Sequence, residues 1–270
     1  MKIALIAGQG ELPLEFAKSA VSKNENLIIY AIKHITDKKI SNLAPTVWLH
    51  FGEAQKLISS MKEEGITHFV MLGRIQHYSL IFSLHKLDKR AKEFLSKLKD
   101  KRAKTILEGV IKELEEEGFK ALDPTPYLKN LLVEEGVINN IPLKDRFKAD
   151  VEFGIKMAKE VAKLDIGQTV VVKDQIVVAV EGLEGTDKCI IRGGQLAGEE
   201  TVVCKAARKN QDMRYDVPVI GLKTLDSMKK AKAKVLAVEA GKTYLLEKEK
   251  FIKKADSLGI SVVGVNLENN

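Results

Sequence analysis

Apolar residues fall in short runs along this chain, separated by stretches of helical spacing. That alternation predicts an α/β fold. Residues 2–7 are an almost wholly apolar run, as expected of a strand buried on both faces. Gly8-Gln9-Gly10 follows, and then Leu12, Phe16, Ala17 and Ala20 mark one face of a helix. Further strands are predicted over residues 27–32, 47–50, 68–72 and 119–122. Amphipathic helices are predicted over residues 55–64 and 105–118. Residues 80–104 mix leucines and phenylalanines with many lysines, which suits a core helix with a solvated face or a basic surface that meets anionic lipid.

Past Asp123-Pro124-Thr125-Pro126, a rigid turn, the pattern starts again. Residues 131–146 have few periodic cues, and residues 149–164 form a helix. Residues 168–172 and 176–181 read as a β-hairpin turning at Asp174. Short strands over 201–205, 218–220, 235–238 and 262–265 alternate with helices over 222–232 and 248–258. The expectation is α/β with two domains: an N-terminal Rossmann-like parallel-sheet domain (1–135) and a C-terminal mixed-sheet domain (136–270). No run approaches the ~18 apolar residues of a spanning helix.

Charge narrows the function. A net charge of +7 favours anionic partners without choosing among nucleotide, nucleic acid and lipid. The two cysteines, Cys189 and Cys204, are expected to be reduced and structural. Strand, glycine turn and helix open a nucleotide-binding unit. The dinucleotide fingerprint is incomplete, because Pro13 stands where its third glycine would be. Lys33 and His34 also end the second strand, where a dinucleotide enzyme usually places an acid. Arg74, at a strand end, is a candidate phosphate contact. There is no Walker A pattern, nucleophile elbow, HExxH or CxxC.

The richest stretch is 178–216. It holds Glu181, Glu184, Asp187, Asp212 and Asp216 together with Arg192, Lys205, Arg208, Lys209 and Arg214. Carboxylates hold a hard cation through oxygen, and cations clamp phosphate oxygens. Gly182, Gly185, Gly193 and Gly194 would let backbone N–H groups approach an anion. Glu181, Glu184 and Asp187 could converge on one cation. In the competing reading this is a polar loop, with Thr186 or Asp187 capping a following helix. The chemistry that fits is pyrophosphate cleavage, with a divalent ion and fixed positive charge from Lys205, Arg192 or Arg208. The rival readings are an NAD-linked redox enzyme and a basic nucleic-acid-binding protein, the latter disfavoured by scattered aromatics at 6%.

The ordered set IAGQGELP, EEGF before DPTPYL, LDIGQTVVVKDQIVVAVEGLEGTD, QDMRYDVPVIGLKT and VLAVEAG resembles the LpxI family over nearly the whole chain. The resemblance implies a metal-dependent hydrolase of lipid A biosynthesis. Its reaction would convert UDP-2,3-diacylglucosamine to 2,3-diacylglucosamine 1-phosphate (lipid X) and UMP, with Mg²⁺ or Mn²⁺. It implies Asp212 as the essential carboxylate, with Asp216, Glu184 and Asp187 as further catalytic residues and Asp212, Asp187 and Glu184 as metal ligands. Expected substrate contacts are Gly8, Gly10, Arg74, Glu181, Thr186, Arg192, Lys205 and Arg214. The expected setting is the cytoplasm, free or peripheral at the inner membrane, without nucleic acid, as a single chain or a homodimer.

Overall fold

The computed structural model describes residues 1–74, 87–100, 102–209, 211–215 and 217–267. His77, Tyr78, residues 80–86 and 101 of the mixed stretch and the expected catalytic residue Asp216 lie outside the described residues. Two compact units are present. The first is Met1–Lys129 with Met213–Asp216, and the second is Asn130–Asp212 with Val217–Asn270. Residues 213–215 thus belong to the first unit although they come late in the sequence.

The first unit runs β1 (Lys2–Ala7), α1 (Leu12–Ser22), β2 (Asn26–Ile32), β3 (Thr46–Leu49), α2 (Ala54–Glu63), β4 (His68–Leu72), α3 (Lys89–Lys97), α4 (Ala103–Glu116), β5 (Lys120–Ala121) and α5 (Thr125–Leu128). Its sheet is parallel, in the order β3-β2-β1-β4-β5. Ile3, Ala4 and Leu5 of β1 are all fully buried, so both faces of the sheet are covered. On one face Ala4, Tyr30 and Phe69 pack with Ile58 and Met61 of α2, Ile111 and Leu114 of α4, and Tyr215. α1 buries Phe16, Ala17 and Ala20, and the Phe16 ring lies 4.9 Å from that of Tyr127 in α5. The strand order reverses between β1 and β4, which is where open α/β sheets bind ligands.

The second unit runs β6 (Gly136–Val137), α6 (Lys148–Lys163), β7 (Thr169–Lys173), β8 (Ile176–Val180), α7 (Thr186–Ala197), β9 (Val202–Lys205), β10 (Val219–Ile220), α8 (Leu222–Ala231), β11 (Val235–Glu239), β12 (Tyr244–Leu245), α9 (Lys248–Ser257) and β13 (Ser261–Val265). Its main sheet is mixed, in the order β6-β13-β11-β9-β7-β8. β9, β11 and β13 are mutually parallel, whereas β7 is antiparallel to both β8 and β9. The alternation along each strand sorts the core. Val170, Val172, Val202, Cys204, Val235 and Ala237 face α6 residues such as Val151, Ile155 and Ala158. Val171, Val203, Leu236 and Val238 pack with Cys189, Ile190, Leu225, Met228 and Phe251 from α7, α8 and α9.

The hairpin turn uses Asp174 and Gln175, both left-handed, with φ of 49° and 58°. That is the two-residue geometry matching strand twist, but neither residue is the usual glycine. Buried Asp150 of α6 compensates: its carboxylate accepts from the Gln175 N–H at 2.6 Å and the Asp174 N–H at 3.1 Å.

α7 corrects the expectation of glycine-rich anion loops. Gly193 and Gly194 lie inside this helix. A Cβ on Gly193 would sit 2.6 Å from the Val171 side chain, and one on Gly194 would sit 2.6 Å from the Ala231 backbone. Both serve close packing of α7 on β7 and α8, not ligand approach. Among the described residues, no helix is long and apolar enough to cross a membrane.

Candidate active site

In the second unit three neighbouring strand ends, those of β7, β8 and β9, bring charge together. Glu181 follows β8, Thr169 opens β7 and Lys205 ends β9. The Lys205 ammonium, with its side chain only 8% exposed, donates to Thr186 Oγ1 at 2.9 Å and Thr169 Oγ1 at 3.3 Å. Thr186 Oγ1 donates in turn to Glu181 Oε1 at 2.9 Å, and the Gln168 N–H donates to Glu181 Oε2 at 3.3 Å. Lys205 Nζ lies 3.9 Å from Glu181 Oε2. Three of the expected contacts, Glu181, Thr186 and Lys205, therefore form one polar relay around the buried Lys205 ammonium at the start of α7. Thr186 is the first helical residue, and Gly185 is the N-cap.

The other acids of this stretch take separate partners. Glu184 Oε1 accepts from Arg192 at 2.5 Å, and Glu184 Oε2 accepts from the Gly182 N–H at 3.1 Å. The Arg192 hydrogen bond holds the Glu184 carboxyl below its ordinary range. Arg192 also donates to the Val180 carbonyl at 2.8 Å. Asp187, in the first turn of α7, accepts from Ser227 of α8 at 3.2 Å. Glu181, Glu184 and Asp187 thus do not converge on one cation. Among the described residues, no three His, Cys, Asp or Glu side chains are grouped to hold a metal ion. The ligand set Asp212, Asp187 and Glu184 is accordingly not gathered there.

Asp212 is half-buried, and its carbonyl accepts from Gln211 Nε2 at 3.0 Å. In the first unit Arg214 pairs with Glu115 of α4 at 3.4 Å, and Tyr215 Oη donates to Glu108 at 2.8 Å. Arg214, expected to meet substrate, is here engaged with α4. The glycine turn sits at the reversal point of the first sheet. The Gly8 N–H donates to Leu72 O at 2.8 Å, and Gln9 and Arg74 exchange two backbone bonds of 2.9 Å each. A Cβ on Gly8 would lie 2.9 Å from Arg74 O, so this glycine permits the backbone of β1 to meet that of β4. The Gly8 and Gln9 amides are spent on that pairing. Gly10, with φ of 110°, completes the turn into α1.

The carboxyl ends of the parallel strands β9, β11 and β13 surround a cavity of about 250 Å³, lined by Lys159, Arg208, Lys209, Gln211, Glu239, Lys242 and Leu267. Sequence reasoning passed over Lys159 and Glu239. Lys159 Nζ donates to Glu239 Oε1 at 2.7 Å and Oε2 at 2.9 Å. The overlooked signal is Glu239 itself, a carboxylate closing the apolar strand β11, as Glu181 follows β8. Arg208 Nε donates to Asp165 at 2.9 Å. Cationic residues outnumber carboxylates in the lining, which suits an anionic ligand. Burial pushes the Cys189 thiol up to about 12 and raises that of Cys204. Neither is a thiolate nucleophile at neutral pH.

A model of the LpxI N-terminal domain matches residues 2–131, and a model of the LpxI C-terminal domain matches residues 134–263. The chain belongs to the LpxI family. A relative from Caulobacter vibrioides, named UDP-2,3-diacylglucosamine pyrophosphatase LpxI, is 28% identical over 276 residues, covering 98% of each chain. Among solved structures, a biotin carboxylase–β-γ-ATP complex from Campylobacter jejuni aligns with 13% identity over 73% of this chain and 42% of that one. Its TM-score of 0.24 supports no comparison of fold or site.

Proposed function

We propose that this LpxI-family protein hydrolyses the pyrophosphate bond of UDP-2,3-diacylglucosamine, giving 2,3-diacylglucosamine 1-phosphate and UMP for lipid A biosynthesis. The observation that carries the reading is end-to-end likeness: both LpxI domains match in order, and the pyrophosphatase relative aligns over 98% of its length. The chemistry of the second unit supports it. A basic cavity at parallel strand ends suits a diphosphate.

In the proposed step a water oxygen bonds to one phosphorus of the pyrophosphate. The bridging P–O bond breaks, and its electron pair leaves with the departing phosphate. Asp212 accepts the proton of the attacking water. A divalent ion, Mg²⁺ or Mn²⁺, belongs to the proposal and would neutralise charge on the phosphate oxygens. The described His, Cys, Asp and Glu residues form no group of three that could hold it. Acyl chains place the substrate at a lipid surface, and the net charge of +7 suits peripheral binding at the cytoplasmic face of the inner membrane.

The test is UMP release from UDP-2,3-diacylglucosamine by wild type and Asp212→Ala. Wild type is expected to turn over. Asp212→Ala is expected to fall by several orders of magnitude with an unchanged circular dichroism spectrum. Near-normal turnover in folded Asp212→Ala would remove Asp212 from its role.

A further inference from the structure

We propose that Glu239, held by Lys159, is a positioning residue that fixes the backbone of residues 206–208, from which the chain leads to Asp212. The proposal rests on the reading of Asp212 as the proton acceptor.

Glu239 ends β11 with its side chain only 5% exposed. Its carboxylate accepts three hydrogen bonds. Oε1 accepts from Lys159 Nζ at 2.7 Å, and Oε2 accepts from Lys159 Nζ at 2.9 Å and from the Ala207 N–H at 2.8 Å. A general base needs a lone pair aimed at water, and this carboxylate points its oxygens at protein donors. Ala207 is fully buried and lies two residues past β9. Its neighbours are tied as well. The Ala206 N–H donates to Gln168 O at 2.9 Å, the Arg208 carbonyl accepts from Lys159 Nζ at 3.4 Å, and the Arg208 side chain holds Asp165. Glu239 and Lys159 thus grip consecutive backbone groups of one segment from β11 and α6. That segment leads through Lys209 and Gln211 to Asp212.

Energetics favour the same role. A buried ion pair adds little net stability over an apolar pair of the same volume, while removing one partner alone is costly. What the apolar pair could not supply is an acceptor for the Ala207 N–H. Misplacing a reacting group by about 1 Å costs about a hundredfold in rate.

The test compares two double variants that each remove the pair without stranding a charge. Lys159→Met/Glu239→Gln keeps a side-chain oxygen for the Ala207 N–H. Lys159→Met/Glu239→Leu removes it. The expected result is a kcat about a hundredfold lower in the second than in the first, with the same KM in both, since the two differ only in the acceptor offered to the Ala207 N–H. Hydrogen exchange at the Ala207 amide is expected to accelerate only in the second, while the β11 amides stay protected. Equal kcat in the two variants, with equal Ala207 exchange, overturns the proposal. Equal kcat with a KM that differs between the two variants also overturns it, by making the residue at 239 a substrate contact. If wild type releases no UMP, the functional reading fails, and the exchange contrast alone decides whether Glu239 holds the segment.

Discussion

Replacing Lys205 with methionine tests the polar relay. The variant keeps most of the apolar stem, so the loss is confined to the ammonium. Two hydrogen bonds go, at 2.9 Å to Thr186 and 3.3 Å to Thr169, and Glu181 loses a cation at 3.9 Å. Bonds from a charged donor contribute about 1.5–3 kcal/mol each, and breaking a buried pair costs about 3–5 kcal/mol. The long 3.9 Å separation weakens the pair, and Glu181 keeps the bonds from Thr186 and Gln168. The net expectation is a loss of about 3 kcal/mol in urea unfolding followed by circular dichroism, with an unchanged m-value. Adding Glu181→Gln to Lys205→Met is expected to restore about 1–2 kcal/mol, because it removes the stranded carboxylate. A loss below about 1 kcal/mol, or no recovery in the double variant, would refute the relay.

Two further outcomes follow from the structure. Asp150→Ala removes the acceptor for both turn amides of the hairpin and is expected to cost about 2–4 kcal/mol. If urea unfolding moves by less than about 1 kcal/mol, Asp150 does not hold that turn. Burial, with a hydrogen bond to Glu25, pushes the Tyr127 phenol up to about 12. The folded state thus favours the neutral phenol, so its contribution is complete below the ordinary value of about 10 and is lost as pH rises from there to about 12. Tyr127→Phe should flatten that part of the alkaline unfolding curve, and an unchanged slope would contradict it.

Strands buried on both faces were the most legible feature. The runs at β1, β2 and β4 are apolar after their first residue because helices cover both sides, and the hairpin β7–β8 announced itself through β-branched residues around Asp174. α7 was harder to read. Its glycines, Gly193 and Gly194, lower helix propensity, and the packing that requires them depends on Val171 and Ala231, remote in sequence. β6 and β12, two residues each, carry too little pattern to be separated from loop.

The site was legible as a list of residues but not as a set of contacts. Spacing along the chain does not give side-chain direction. Glu181 turns to Thr186, Glu184 to Arg192 and Asp187 to Ser227, although the first and last acids are only six positions apart. Arg214 carries phosphate-binding chemistry in sequence and is engaged by Glu115 in the fold. Glu239 was hidden because a lone carboxylate at a strand end has no local partner, and Lys159 reaches it across 80 positions.

The most direct measurement is UMP release from UDP-2,3-diacylglucosamine in detergent micelles, with Mg²⁺ and with excess chelator. The account predicts release with Mg²⁺ that disappears on chelation and returns when the ion is restored. Release unaffected by chelator would contradict the divalent ion and keep the substrate. No release under either condition, from protein shown to be folded, would contradict the proposed reaction itself.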